Sequence, residues 1–203
     1  MPPSEPLIPE LEDVLQQVPA AKRVDIFIRI VDLFLSAAER YRPEHIDVFE
    51  DVLGRIIAGA DRGIRVQMSQ RLAPMTSAPP GAVAQLARDD SIAIAEPILL
   101  QFAGLDTSVL VDVIQTKSQE HRLAIACRRQ IQPEVTDALL ESRDDVVIRY
   151  LAGNAGAVFS AKGFNAVVEK AKHDGALAEQ LKHRRDLPAN LKKSLEGRAG
   201  VAA

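Results

Sequence analysis

The side chains with the most chemical reach in this sequence are four histidines, one cysteine and two acid doublets. His121 lies between Glu120 and Arg122, at the head of the apolar run Leu123-Ala124-Ile125-Ala126. A helical histidine followed by arginine would suit phosphoryl transfer, which needs an exposed ring nitrogen and a group that orients the ring. Glu120 adjoins His121, but residues one apart do not face each other on a helix, so the expected role of His121 is to cap or touch a turn. His45, His121, His173 and His183 make no His-x-x-x-His pair and none adjoins a cysteine, so no metal site is expected. Cys127 falls on the apolar side of Leu123–Cys127 and is expected to be a small buried side chain, with Arg128 and Arg129 giving only a weak case for a thiolate. Asp89-Asp90 and Asp144-Asp145 recur at matching places, which points to helix capping rather than to a catalytic carboxylate pair. No phosphate loop or dinucleotide fingerprint is present. The expectation is a protein without cofactor and without enzymatic activity.

The elements that would hold these residues are helices. Pro9, Pro43, Pro80, Pro133 and Pro188 each precede a helix-like apolar pattern, and Glu44 and Glu134 directly follow two of them. Proline suits the first helical position, where its missing N–H has no intrahelical partner, and an early acid suits the helix dipole. Strand signals are missing, and the predicted class is all-α. Ile26, Phe27, Ile30, Val31, Phe34, Ala38 and Tyr41 mark one amphipathic helix from Lys22 to Tyr41. A second follows Pro43 and ends near Gly59, and a third runs from about Arg62 to Leu72. Residues 74–81 read as a linker.

Beyond that linker the sequence repeats. Helix starts are predicted near Pro80, Asp106, Pro133, Ser160 and Pro188, each followed by a polar turn and a second helix. The predicted second helices are Ile92–Phe102, Glu120–Gln130, Val146–Leu151 and Ala176–Lys182. Pro97 is predicted to kink the first of these. Helix pairs this short bury an apolar face only by stacking on their neighbours, which predicts an α-solenoid with a period of about 27 residues. The predicted organisation is a tail at 1–20 with one short helix, an N-terminal helical segment at 21–75, repeats at 79–196 and a C-terminal tail at 197–203.

Leu86-Ala87-Arg88-Asp89, Ala95-Glu96-Pro97-Ile98-Leu99, His121 to Ala126 and Val146 to Ala155 together resemble a known pattern. They are similar to the bacterial HEAT-like family catalogued as domain of unknown function 2336, found mainly in alphaproteobacteria. The likeness runs from about Leu33 to Phe164. It implies a HEAT-like fold and no particular reaction.

Composition and charge narrow the function classes. The 203 residues are 47% apolar and 26% charged with a net charge of −3, which excludes collagen-like, disordered and disulfide-scaffold chains. One cysteine and no long apolar run lead to the expectation of a cytoplasmic protein that does not enter the membrane. Residues 1–60 carry 6 basic and 11 acidic side chains, whereas residues 116–203 carry 15 and 11, a net charge of +4. In a solenoid the second helices share one surface, and His121, Arg122, Arg129, Arg149, Asn154 and Lys182 are the residues expected to meet a partner there. The leading expectation is a non-enzymatic scaffold holding an unknown protein, with homodimerisation through the aromatic-rich N-terminal helices a further possibility. Nucleic-acid binding along a basic strip is the alternative, disfavoured by a pI of 5.8 and the lack of tryptophan. Phosphotransfer through His121 is the second alternative.

Overall fold

A computed structural model describes residues 43–76 and 78–196, together with Ile26 and Arg29. The predicted Lys22–Tyr41 helix, the tails at 1–20 and 197–203, and dimerisation through the N-terminal helices lie outside the described residues, apart from helical backbone at Ile26 and Arg29. Eleven α-helices and no strand are present among the described residues, so the chain is all-α.

Helix α1 (Pro43–Gly59) begins at the expected proline and α2 (Arg62–Leu72) has the expected bounds. Asp61 starts α2 by accepting a hydrogen bond from the Ile64 amide at 3.0 Å, which satisfies one of the donors left open in the first turn. Helix α3 (Pro80–Ala87) opens on proline, and α4 (Ile92–Gln101) continues through Pro97 without interruption. Pro97 has no N–H, so one hydrogen bond of the α4 ladder is not made. Helix α1 lies on α3 and α2 on α4, with Val52, Leu53, Ile56, Met68, Leu72, Leu86, Ile94 and Ile98 all buried. The chain divides into two compact units after Asp106, not at the 74–81 linker. The contacts of α1 and α2 with α3 and α4 explain why that proline-rich stretch does not separate the first unit.

The second unit contains α5 (Thr107–Thr116), α6 (Gln119–Ala126), α7 (Pro133–Glu141), α8 (Asp145–Gly153), α9 (Ala161–Ala171), α10 (Gly175–Lys182) and α11 (Ala189–Glu196). Within it α5, α7, α9 and α11 lie side by side in one layer, and α6, α8 and α10 form the other. Each helix buries one stripe, as α8 does with Val147, Ile148, Leu151 and Ala152. Apolar positions at three- and four-residue steps make that stripe. Helix α6 is shorter than expected: it stops at Ala126 instead of running to Gln130. The chain turns there to bring Ile131 beside Ala157 in an isolated parallel bridge, with Ile131 N donating to Gly156 O and Val158 N to Ile131 O, both at 3.0 Å.

Two backbone positions are tightly constrained. A Cβ added to Gly156 would lie 1.9 Å from the Arg129 carbonyl oxygen, so only glycine permits this approach. Arg143 follows α7 with φ 55, a left-handed conformation more commonly filled by glycine after a helix. Gly156→Ala should therefore lose more than about 2 kcal/mol in denaturant unfolding, because a backbone segment must move. Arg143→Gly should raise stability by up to about 1 kcal/mol in the same assay, with a decrease contradicting the strain argument.

Candidate partner-binding surface

The N-terminal edge of the α6–α8–α10 layer consumes much of the expected cationic strip. Asp144 precedes α8 and accepts hydrogen bonds from the Val146 and Val147 amides at 3.2 and 3.3 Å. Gln119 of α6 donates to both Asp144 oxygens at 2.9 Å, and the Arg122 guanidinium is 3.6 Å away. One pair along, Asp174 accepts from the Leu177 amide at 3.1 Å and pairs with Arg149 of α8 at 2.9 Å. Arg65 and Asp89 form the corresponding pair in the first unit, where Asp89 also accepts from the Ser91 amide. In each case an arginine near the start of one second-layer helix meets an acid before the next.

These contacts set the protonation of the acids. Burial works against ionisation of Asp144, but hydrogen bonds from Gln119 and two amides, with the Arg122 charge, offset it and lower the pKa. Asp174 is lowered chiefly by its Leu177 amide bond and next by Arg149. Asp144 fulfils the capping role expected of it, while Asp145 instead pairs with Lys170 at 2.6 Å.

At the C-terminal edge, side chains from later in the chain satisfy the ends of earlier helices. Asn154 Nδ2 donates to the Ala126 and Arg128 carbonyls at 2.8 Å, and its Oδ1 accepts from the Gly156 amide at 2.8 Å. Arg184 performs the same task for α8, donating to Ala152 O, Asn154 O and Ala157 O at 3.2, 2.7 and 2.7 Å. Its guanidinium also lies over the Phe159 ring, 4.8 Å from the centroid, in cation–π geometry. Asn154, expected to touch a partner, is thus engaged in joining the loops after α6 and α8.

The remaining expected residues separate by exposure. His121 is 1% exposed, and its Nδ1 lies 2.8 Å from Ser118 Oγ, which also contacts Glu120 at 2.8 Å. The ring is enclosed at the first turn of α6, which gives a phosphoryl donor no access. Lys182 pairs with Glu179 at 2.6 Å. Arg129 is exposed and has no ion pair among the described residues. Cys127 corrects the expectation of burial: it is exposed, because α6 ends one residue earlier and leaves Cys127 as its C-terminal cap. The surrounding protein still desolvates the thiol enough to raise its pKa, which favours the unreactive form.

Tyr150 and Val146 stand out on this layer. They are 56% and 43% exposed, four residues apart on the same face of α8. Helix α8 contains Val146, Val147, Ile148, Tyr150 and Leu151, more large apolar side chains than one stripe accommodates. That surplus was the available sequence signal. Beside Tyr150 a groove of about 550 Å³ is lined by Ala126, Cys127, Arg149, Tyr150, Gly153, Asn154 and Gln180. It brings Arg149 and Asn154 together from the expected set, whereas His121, Arg122, Arg129 and Lys182 are not in its lining. No cluster of three potential metal ligands occurs among the described residues, and none of their helices is long and apolar enough to cross a membrane.

The class defined by these observations is an all-helical protein with layered short helices and an apolar-edged groove. Residues 94–201 match the family described as uncharacterised protein conserved in bacteria, DUF2336, and the chain belongs to that family. The match starts later and ends later than the likeness from Leu33 to Phe164. No curated protein and no solved structure matches the chain.

The depressed carboxyls imply a definite pH response. Their contribution to stability is present above the unfolded aspartate pKa of about 4 and is lost as pH falls through the lower folded values. Asp144→Asn/Asp174→Asn retains oxygen acceptors for capping but removes both charges. Thermal melting should therefore show a smaller loss of stability for this variant than for wild type between about pH 5 and about pH 2. Equal losses would contradict the pairing.

Proposed function

We propose that this chain is a non-enzymatic protein-binding scaffold whose second unit is a HEAT-like α-solenoid. Helix starts 26–28 residues apart, from Pro80 through Thr107, Pro133, Ala161 and Ala189, support the repeat reading, as do the two layers of the second unit. Such stacks present extended surfaces suited to holding another protein in the cytoplasm. The observation that carries the function is the exposed Val146–Tyr150 face of α8 beside the groove. This helix already has a filled inner stripe, and the outward pair stays about half exposed. Exposed aromatic side chains flanked by arginine are frequent anchors of protein interfaces.

The paired states of Arg122, Arg149 and Lys182 weigh against a phosphate-tracking strip, and the burial of His121 weighs against phosphotransfer. Affinity capture from a lysate of the source organism tests the proposal, with nuclease-treated and untreated arms. Val146→Ser/Tyr150→Ala should retain wild-type helical circular dichroism and lose at least about tenfold in capture of a nuclease-insensitive protein. Equal capture by both proteins would reject this surface, and capture abolished by nuclease would reject the protein-scaffold reading.

A further inference from the structure

We infer that the groove beside Tyr150 takes an acidic peptide segment carrying a large apolar anchor, an inference that rests on the scaffold reading above. Its lining contains no carboxylate, and its one formal cation, Arg149, is 48% exposed despite pairing with Asp174. Arg149 donates to Asp174 through Nε, with Nη2 2.9 Å from the same oxygen, leaving further guanidinium N–H groups for a second carboxylate. Arg129 follows the Cys127 edge, and its carbonyl contacts the turn at Gly156. Arg185 follows Arg184, the residue bonded to Asn154 O. Both Arg129 and Arg185 are exposed and have no ion pair among the described residues. Arg149 thus lines the groove, and Arg129 and Arg185 follow in sequence the residues, Arg128 and Arg184, that bond Asn154.

The apolar part of the recognition comes from Ala126, Tyr150 and Gly153, with Val146 one helical turn from Tyr150. The volume of about 550 Å³ accommodates a few side chains, fitting an extended or helical segment in place of a folded domain. Gln180 is exposed at the opposite wall and offers an amide donor and acceptor to the segment's backbone. Charge complementarity selects the occupant. Residues 116–203 have a net charge of +4, although the whole chain is acidic. Cationic surroundings speed the approach of an acidic segment and penalise a basic one, while the apolar anchor fills the groove. A nucleic-acid backbone requires a longer series of available cations than the one arginine in the lining provides.

Selection of random twelve-residue peptides on the immobilised full chain tests this assignment, with counter-selection on Tyr150→Ala. The expected recovered sequences carry at least two Asp or Glu residues around Leu, Phe or Trp. A recovered peptide should bind Tyr150→Ala at least about tenfold more weakly, with Arg149→Gln producing a smaller loss. Added salt should weaken the wild-type interaction. Recovery only of neutral or basic peptides, binding indifferent to Tyr150→Ala, or no recovery would overturn the acidic-peptide assignment. Displacement of the peptide by a duplex or single-stranded oligonucleotide at equal concentration would overturn the choice of ligand class. A scaffold that captures a partner through this face but selects neutral peptides would retain its proposed function and lose only the acidic specificity.

Discussion

Short helices leave their ends to be satisfied by something else. An α-helix has four N–H groups at its start and four carbonyls at its end without intrahelical partners. The second-unit helices contain 8 to 11 residues, so open end groups are a large fraction of the whole. Asp144 and Asp174 serve the starts of α8 and α10, while Asn154 and Arg184 serve the carbonyl ends left by α6 and α8. The same acids bind back to Gln119, Arg122 or Arg149 of the preceding helix. Capping and stacking are therefore one set of contacts. Individual exposed ion pairs contribute only about 0–1 kcal/mol, and their repeated placement matters more as a determinant of register.

This economy determines which side chains remain available for function. Arg122 and Asn154 resemble recognition residues in the linear sequence, yet Arg122 pairs with Asp144 and Asn154 bonds the Ala126 and Arg128 carbonyls. Arg149 has a double position, paired with Asp174 and also lining the groove. The unspent surface lies on the outward side of α8, where Val146 and Tyr150 remain exposed after Val147, Ile148 and Leu151 have filled the core. The proposed partner site follows from that surplus.

Much of the helix architecture was legible because it depends on local chemistry. Pro43 and Pro133 mark starts at α1 and α7, and the apolar residues Ile64, Val66 and Met68 mark α2. Pairing was less legible, since Arg149 and Asp174 are 25 residues apart and neither identifies the other locally. The α6 boundary was missed because residues 127–130 lack a proline or glycine stop; the turn is enforced by the distant 154–158 segment. That same contact exposes Cys127, whose helical spacing alone suggested burial. Tyr150 is one of two tyrosines in the sequence, but its exposure depends on which α8 stripe faces the core.

The central claim is that successive helix ends are held by residues of the following pair. Native-state amide hydrogen exchange on wild type and Asn154→Ala tests it most directly. The account predicts that removing the Asn154 amide reduces protection in the last turn of α6 as well as around residues 154–158, because both Ala126 O and Arg128 O lose a donor. Faster exchange confined to residues 154–158, with α6 protected as in wild type, would contradict the claim.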